Sequence, residues 1–156
     1  MIAAADPMPP VERELVITRV FDAPRKLVFE VWTDPRHLKN WFGPKDYPAV
    51  QMKADIRPGG AWRACLKSTG SDPDLWVGGV YREIVAPERL VFTFAWEEEG
   101  ERGLETVVTI TFAEENAKTK MTLRQAPFQS VEERDGHVYG WSSALDRLAE
   151  LVARIA

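Results

Sequence analysis

The residue types that bind metals or act as nucleophiles are few in this 156-residue chain and stand far apart. Its two histidines, His37 and His137, and its single cysteine, Cys65, fall on three distant segments. A protein metal site needs three or four converging donors, so this spacing predicts no metal site. Each histidine is expected to be solvated or to cap a helix. The sequence therefore indicates neither a metal nor any other cofactor.

Covalent catalysis is not favoured either. Cys65 alternates with Arg63 and Lys67, so its thiol is expected to face outward without the positioned base that would activate it. The serines of "GWSSAL" lie in a helical pattern and are interpreted as packing residues. An enzyme would need an acid or base in its site, for which Tyr81 and Tyr139 are the side chains to inspect. A non-enzymatic protein is the preferred prediction, with an enzyme as an alternative.

Composition argues against several other classes of protein. The net charge is −4 and the basic residues are dispersed, which is not the pattern of a nucleic-acid-binding surface. No apolar run reaches the ~20 residues of a membrane-spanning helix. The start of the chain lacks the basic region of a signal peptide, and a single cysteine fits a reducing compartment, so we predict a cytoplasmic protein. Monomer and homodimer both remain open.

The length and the lack of a low-complexity linker predict one domain. Residues 1–12 are rich in Pro and Ala and are predicted to form a flexible arm, and residues 13–156 are predicted to form the domain. Alternating and β-branched residues predict seven strands, at 14–21, at two positions within 49–68, and at 75–85, 89–96, 104–112 and 118–126. Short turns between successive strands predict an antiparallel meander.

Three helices complete the pattern. The first is predicted at 22–32, and the second follows Asp34 as N-cap and stops at Gly43-Pro44. Trp41 and Phe42 share its apolar face; we expect Trp41 to pack in the core and Phe42 to lie nearer an opening. The third runs from Ser130 to about Ile155 with one continuous apolar stripe. Gly136 and Gly140 each cost this helix about 1 kcal/mol relative to Ala, which predicts a close approach or a bend there.

These elements predict an α+β fold. A seven-stranded antiparallel sheet would curl around the long C-terminal helix, with two short helices between strands 1 and 2. Because the long helix alone can cover the apolar face of the sheet, any space left between the two is the natural ligand site.

Four segments resemble the helix-grip, START-like (SRPBCC) superfamily. They are "RVFDAPRKLVFEVWTDPRHLKNWFGP", "RPGGAWR", "GVYREIVAPERLVFTF" and "GWSSALDRLAELV", and the resemblance covers about residues 14–155. They are most similar to the family named after the activator of heat-shock-protein-90 ATPase, in its small single-domain bacterial form. The resemblance implies a START/Bet v-like fold with a hydrophobic cavity and no particular reaction. Many relatives carry a histidine near the end of the last strand, where this chain has Gln125, so proton transfer is not expected there.

The predicted ligand-binding residues are the inward aromatic and apolar side chains, with Gln125 as a polar anchor. Strand alternation and helical spacing select most of them, and the resemblance places Phe42 at the end of the cavity. The set is Phe42, Trp62, Phe92, Phe94, Trp96, Phe112, Met121, Leu123, Gln125, Trp141 and Leu145. The alternative for each is a filled core, with Gln125 paired to the protein or to water.

Three hypotheses about function follow. The first is non-enzymatic binding of a small apolar or aromatic molecule. The second is a co-chaperone-like interaction module, which is motivated by the resemblance and by an acidic segment at 97–101. The third is a cyclase or hydrolase that uses the cavity.

Overall fold

The computed structural model describes residues 13–98 and 100–155, and the predicted flexible arm at 1–12 lies outside the described residues. Its elements are β1 (Leu15–Phe21), α1 (Arg25–Thr33), α2 (Pro35–Trp41), β2 (Ala49–Ala54), β3 (Ala61–Leu66), β4 (Leu75–Val85), β5 (Arg89–Glu98), β6 (Glu101–Arg102), β7 (Thr106–Glu115), β8 (Lys118–Ala126) and α3 (Val131–Ile155). The predicted α+β helix-grip fold is confirmed: an antiparallel sheet, a long C-terminal helix and two short helices after the first strand.

The strands form one antiparallel sheet in the order β1-β8-β7-β5-β4-β3-β2. The sequence predicts seven strands, whereas the described residues form eight, because the two-residue strand β6 pairs with the end of β5. Gly100 takes a positive φ of 81° and turns the chain back, so that Glu97 lies opposite Arg102.

The core lies between one face of the sheet and α3. Cross-strand pairs place Ile110 opposite Leu123 and Phe112 opposite Met121, and these four side chains are at most 2% exposed. Leu145 of α3 belongs to the same core and is fully buried. Here the helix fills the concave face with side chains.

Helix α2 begins and ends where its sequence indicates. The carboxylate of Asp34 accepts a hydrogen bond from the backbone N–H of Arg36 at 2.9 Å, and Gly43 takes a positive φ of 87° just after the helix. Trp41 is fully buried and donates its indole N–H to the carbonyl of Val31 at 2.9 Å. Trp41 thus packs in the core between the two short helices.

Arg147 of α3 binds the end of α2. Its guanidinium donates hydrogen bonds to the backbone carbonyls of Asn40, Trp41, Phe42 and Gly43 at 3.2, 3.2, 3.0 and 2.7 Å. Carbonyls at a helix end have no partner within the helix, so the cation supplies one and opposes the negative end of the helix dipole. Burial lowers the pKa of Arg147, but the ordinary pKa of an arginine is so high that the side chain stays charged.

Gln125 binds α3 to the sheet from the other side. Its amide Nε2 donates to Thr106 Oγ1 at 2.8 Å, and its Oε1 accepts from the indole N–H of Trp141 at 2.7 Å. Gln125 is fully buried, so both hydrogen bonds are shielded from water. They fix the position of the Trp141 ring.

The loop between α2 and β2 is held to α3 by two further hydrogen bonds. The backbone N–H of Lys45 donates to Ser143 Oγ at 2.9 Å, and the Tyr139 hydroxyl donates to Asp46 Oδ2 at 3.0 Å. Ser143, which the sequence analysis interprets as a packing residue, therefore also anchors the loop through its hydroxyl.

We predict that Arg147→Met destabilises the fold by about 2–3 kcal/mol, because it keeps the apolar stem but leaves the carbonyls at the end of α2 without their charged donor. Urea unfolding measures the loss. Arg154→Met removes an exposed arginine from the same helix and should change stability by less than about 0.5 kcal/mol. Equal stabilities for the two variants would contradict the role of Arg147.

We predict that Gln125→Met also costs about 2–3 kcal/mol, because methionine has a similar volume but leaves the buried indole N–H of Trp141 without an acceptor. Gln51→Met, at an exposed position of β2, is the control. Thermal and urea unfolding of both variants check this, and a wild-type stability for Gln125→Met would refute it.

Candidate ligand-binding site

A cavity of about 460 Å³ opens between the first half of α3, the loop after α2 and the ends of β3 to β5. We call it the helix cavity. Its rim carries Leu75 and Tyr139, which are 39% and 56% exposed. The cavity is lined by Phe42, Gly43, Pro44, Asp46, Tyr47, Leu66, Leu75, Phe94, Trp96, Glu132, Glu133, Gly136, His137, Tyr139, Gly140, Trp141 and Ala144. It therefore opens to solvent while its inner wall is aromatic.

Two glycines of α3 leave room for the helix cavity. A Cβ built on Gly136 or Gly140 would meet no atom within 4 Å, and both residues line the cavity. The sequence predicts a close approach or a bend at these glycines, and the structure shows that no protein group approaches them. The sequence analysis does not include these glycines among the site residues. The cost in helix stability that each imposes was nevertheless a sign that the position needs space.

Four of the predicted ligand-binding residues line the helix cavity. Phe42, Trp141, Phe94 and Trp96 form a continuous row of rings, with centroids 5.9, 6.0 and 5.4 Å apart in that order. Aromatic pairs at such separations gain stability beyond the area they bury, so the wall is preformed. Gln125 contributes indirectly, because it holds Trp141.

Two other predicted residues, Trp62 and Phe92, border a separate void of about 10 Å³ beneath Phe42. Trp32 lines the same void, and its buried indole N–H has no hydrogen-bond partner among the described residues. Such a void admits about one water molecule at most, so it is too small for an organic ligand.

The remaining predicted residues line neither of these spaces. They are buried in the filled part of the core, at 0–2% exposure, and comprise Phe112, Met121, Leu123, Gln125 and Leu145. Alternation along a strand indicates which face a side chain occupies but not whether another side chain already covers it. Their contact with a ligand stays a prediction that the geometry does not favour.

His137 lies at one edge of the helix cavity with both ring nitrogens engaged. Its Nε2 accepts the indole N–H of Trp96 at 3.0 Å, so Nε2 carries no proton. Nδ1 lies 2.9 Å from the carbonyl of Glu133 and must donate to it. His137 is therefore the neutral Nδ1–H tautomer and is a structural part of the wall, and neither a solvated nor a capping residue.

The two candidate tyrosines are poor bases. Burial raises the pKa of Tyr81, which borders only the small void. The hydrogen bond to Asp46 raises the pKa of Tyr139 at the rim of the helix cavity. Both phenols thus stay protonated near neutral pH.

Cys65 shares the outer face of the sheet with Arg63, as expected, but it is covered there and not exposed to solvent. The residue is 2% exposed, and desolvation by burial is the largest cause that raises the pKa of its thiol. Cys65 lies opposite Trp76 on the next strand, and the guanidinium of Arg63 stacks 3.9 Å from the ring of Trp76. The large side chains on this face of the sheet form a covering layer that alternation alone does not reveal.

A second cavity, of about 530 Å³, lies beside the β5–β6 hairpin, and we call it the hairpin cavity. It shares part of its lining with the helix cavity and adds polar groups. Its lining comprises Phe94, Trp96, Glu98, Arg102, Gly103, Leu104, Thr106, Phe128, Gln129, Glu133 and His137.

Within residues 13–98 and 100–155, no three His, Cys, Asp or Glu side chains converge as metal ligands would. No helix in this part of the chain is long and apolar enough to cross a membrane.

Solved structures with the same fold come from several bacteria. A protein from Chromobacterium violaceum is 27% identical, with a TM-score of 0.82 over 90% of this chain and 96% of its own. The AHSA1 protein from Silicibacter pomeroyi is 23% identical, with a TM-score of 0.82 over 92% and 99%. A protein from Mycobacterium smegmatis is 24% identical, with a TM-score of 0.79 over 95% and 96%. The last two show a shared fold alone.

Sequence comparison identifies the family. No curated protein sequence matches the chain. The family profile described as "Activator of Hsp90 ATPase homolog 1-like protein" matches residues 22–153, which is most of the chain and includes every residue that lines the helix cavity. The chain therefore belongs to the activator of Hsp90 ATPase homolog 1-like family.

Proposed function

We propose that this protein binds a small apolar or aromatic molecule in the helix cavity and does not transform it. The observation that carries the proposal is an open, ring-lined space of about 460 Å³ beside a core that is otherwise filled. Cavities of about 300–1,000 Å³ with mostly apolar walls are typical of small-molecule sites. A ligand would gain about 25 cal/mol for each Å² of apolar surface that it buries.

The side chains around the cavity support binding more than catalysis. Two of the polar groups that could exchange protons are engaged in hydrogen bonds: His137 with Trp96 and the helix backbone, and Tyr139 with Asp46. A catalytic acid or base has to reach the reacting atom of a bound substrate. These hydrogen bonds instead hold the wall in place.

The preformed wall favours flat, rigid ligands. Phe42 and Trp141 meet nearly at right angles, with an interplanar angle of 86°, and Phe94 and Trp96 meet at the same angle. Rings in this arrangement offer both faces and edges to an aromatic guest. Since the protein does not have to reorganise, little of the gain from burial is lost to ordering.

We predict that Gly140→Leu weakens binding of N-phenyl-1-naphthylamine, a neutral dye that fluoresces in apolar surroundings, because the new side chain enters the helix cavity. Replacing a helical glycine also stabilises the helix by roughly 0.8 kcal/mol, so the variant should melt at or above the wild-type temperature. Fluorescence titration should show at least about tenfold weaker binding.

Gly140→Ala is the matched control, since it gives a similar helix gain but adds only one carbon to the cavity. It should bind the dye with near wild-type affinity. Dye binding by a folded Gly140→Leu protein at wild-type affinity would contradict the location of the site, and no saturable binding to the wild type would contradict the proposed function.

The family description supports a second candidate, a module that binds an Hsp90-type ATPase. The exposed β5–β6 hairpin carries Glu98 and Glu101 and could meet a basic surface. We predict that, if this function holds, the protein raises the ATPase rate of the host's Hsp90 homologue and that a Glu98→Lys/Glu101→Lys variant does not. An unchanged rate with the wild-type protein would remove this candidate.

A further inference from the structure

The hairpin cavity is a second space that the proposed function does not use. It measures about 530 Å³ and shares Phe94, Trp96, Glu133 and His137 with the helix cavity. Because the same four side chains line both spaces, the two cavities are adjacent. A ligand that fills the helix cavity therefore ends next to the hairpin cavity.

A hydrogen bond joins two of these shared side chains. The indole N–H of Trp96 donates to His137 Nε2 at 3.0 Å, and both side chains are half-buried. Trp96 comes from β5 and His137 from α3, so the bond joins two elements and is not part of either. A ligand that extends from one cavity into the other would run along the side chains that the two linings share.

The two cavities differ in chemistry. The helix cavity is lined mainly by rings, aliphatic side chains and glycines, whereas the hairpin cavity adds Glu98, Arg102, Thr106 and Gln129. A ligand that occupies both would have to be amphipathic, with its polar end on the side of the hairpin.

The uncompensated charge in the hairpin cavity is negative. The lining carries two carboxylates, Glu98 and Glu133, against one guanidinium, that of Arg102, which pairs with Glu105 at 2.7 Å; Glu105 also pairs with Arg82 at 3.6 Å. Glu98 and Glu133 lie on different elements, and neither makes an ion pair within the described part of the chain. The rings of Phe94 and Trp96 line the same space, and aromatic faces attract cations. Carboxylates and rings together select a protonated amine.

We propose that the ligand is an amphipathic amine, with its apolar body in the helix cavity and its ammonium group in the hairpin cavity beside Glu98 and Glu133. This inference rests on the proposed function, because the apolar body occupies the helix cavity. It adds the chemical class of the polar end and assigns a binding role to the hairpin cavity.

The test uses three probes with the same phenylbutyl body: 4-phenylbutylamine, 4-phenyl-1-butanol and 5-phenylvalerate. Each is titrated against N-phenyl-1-naphthylamine bound to the full-length protein. The amine should displace the dye at roughly 3- to 10-fold lower concentration than the alcohol, as expected for a charge-assisted contact that is partly screened by water. The carboxylate should be the weakest of the three.

Two single-charge variants locate the ammonium group. Glu98 lines the hairpin cavity alone, whereas Glu114 of β7 lines neither cavity, and both are exposed, so neither substitution threatens folding. Glu98→Gln should remove the advantage of the amine over the alcohol. Glu114→Gln, which changes the net charge equally, should keep it.

The outcomes separate this inference from the proposed function. If the alcohol displaces the dye but the amine is no better, or if the advantage of the amine survives Glu98→Gln, the amine inference is overturned and the proposed function stands. An equal loss in the Glu114→Gln variant also overturns it, because the charge effect is then not local. If the dye itself does not bind, the proposed function fails and the inference fails with it.

Discussion

One face of a curled sheet has to be covered by the long helix α3 with help from the two short helices, of which α1 contributes Phe29 and Trp32 in contact with Phe112 and Phe92, and this constraint shapes the rest of the molecule. The second half of α3 carries the large inward side chains, such as Leu145 and Leu148, and closes the core completely. The first half carries Gly136 and Gly140, beside which there is open space. One helix can therefore be a core element at one end and the wall of a cavity at the other, because side-chain volume changes along its length.

The cavity keeps its shape because α3 is fixed on two sides. Arg147 binds the carbonyl groups at the end of α2, and Gln125 binds Trp141 from the sheet. The two contacts hold Phe42 and Trp141, which meet at the inner wall. Both contacts are hydrogen bonds that involve buried or half-buried groups. Leaving such a group without a partner destabilises the fold. The aromatic wall is thus positioned by polar contacts behind it.

The hydrophobic pattern predicted the faces of the strands well and the local irregularities poorly. In β2 the pairing shifts between Ala49 and Gln51, so Val50 is 39% exposed, although it stands two residues before the half-buried Met52 on the same strand. The covering of Cys65 was missed for a related reason, since alternation describes one strand and not the side chains on the strands beside it. Bulges and cross-strand layers arise from pairing between segments, which a periodicity of two does not encode.

By itself, the sequence determined the order and type of the elements, the family and the set of side chains that face inward, because these depend on local spacing and capping. Only the tertiary structure decided which inward rings border open space. Phe112 and Trp141 have the same hydrophobic signature, yet one lies in the filled core and the other lines the helix cavity. The reason is that a cavity is the volume left when distant segments meet. Here those segments are joined by contacts such as that of Arg147 with Gly43, which are 104 residues apart.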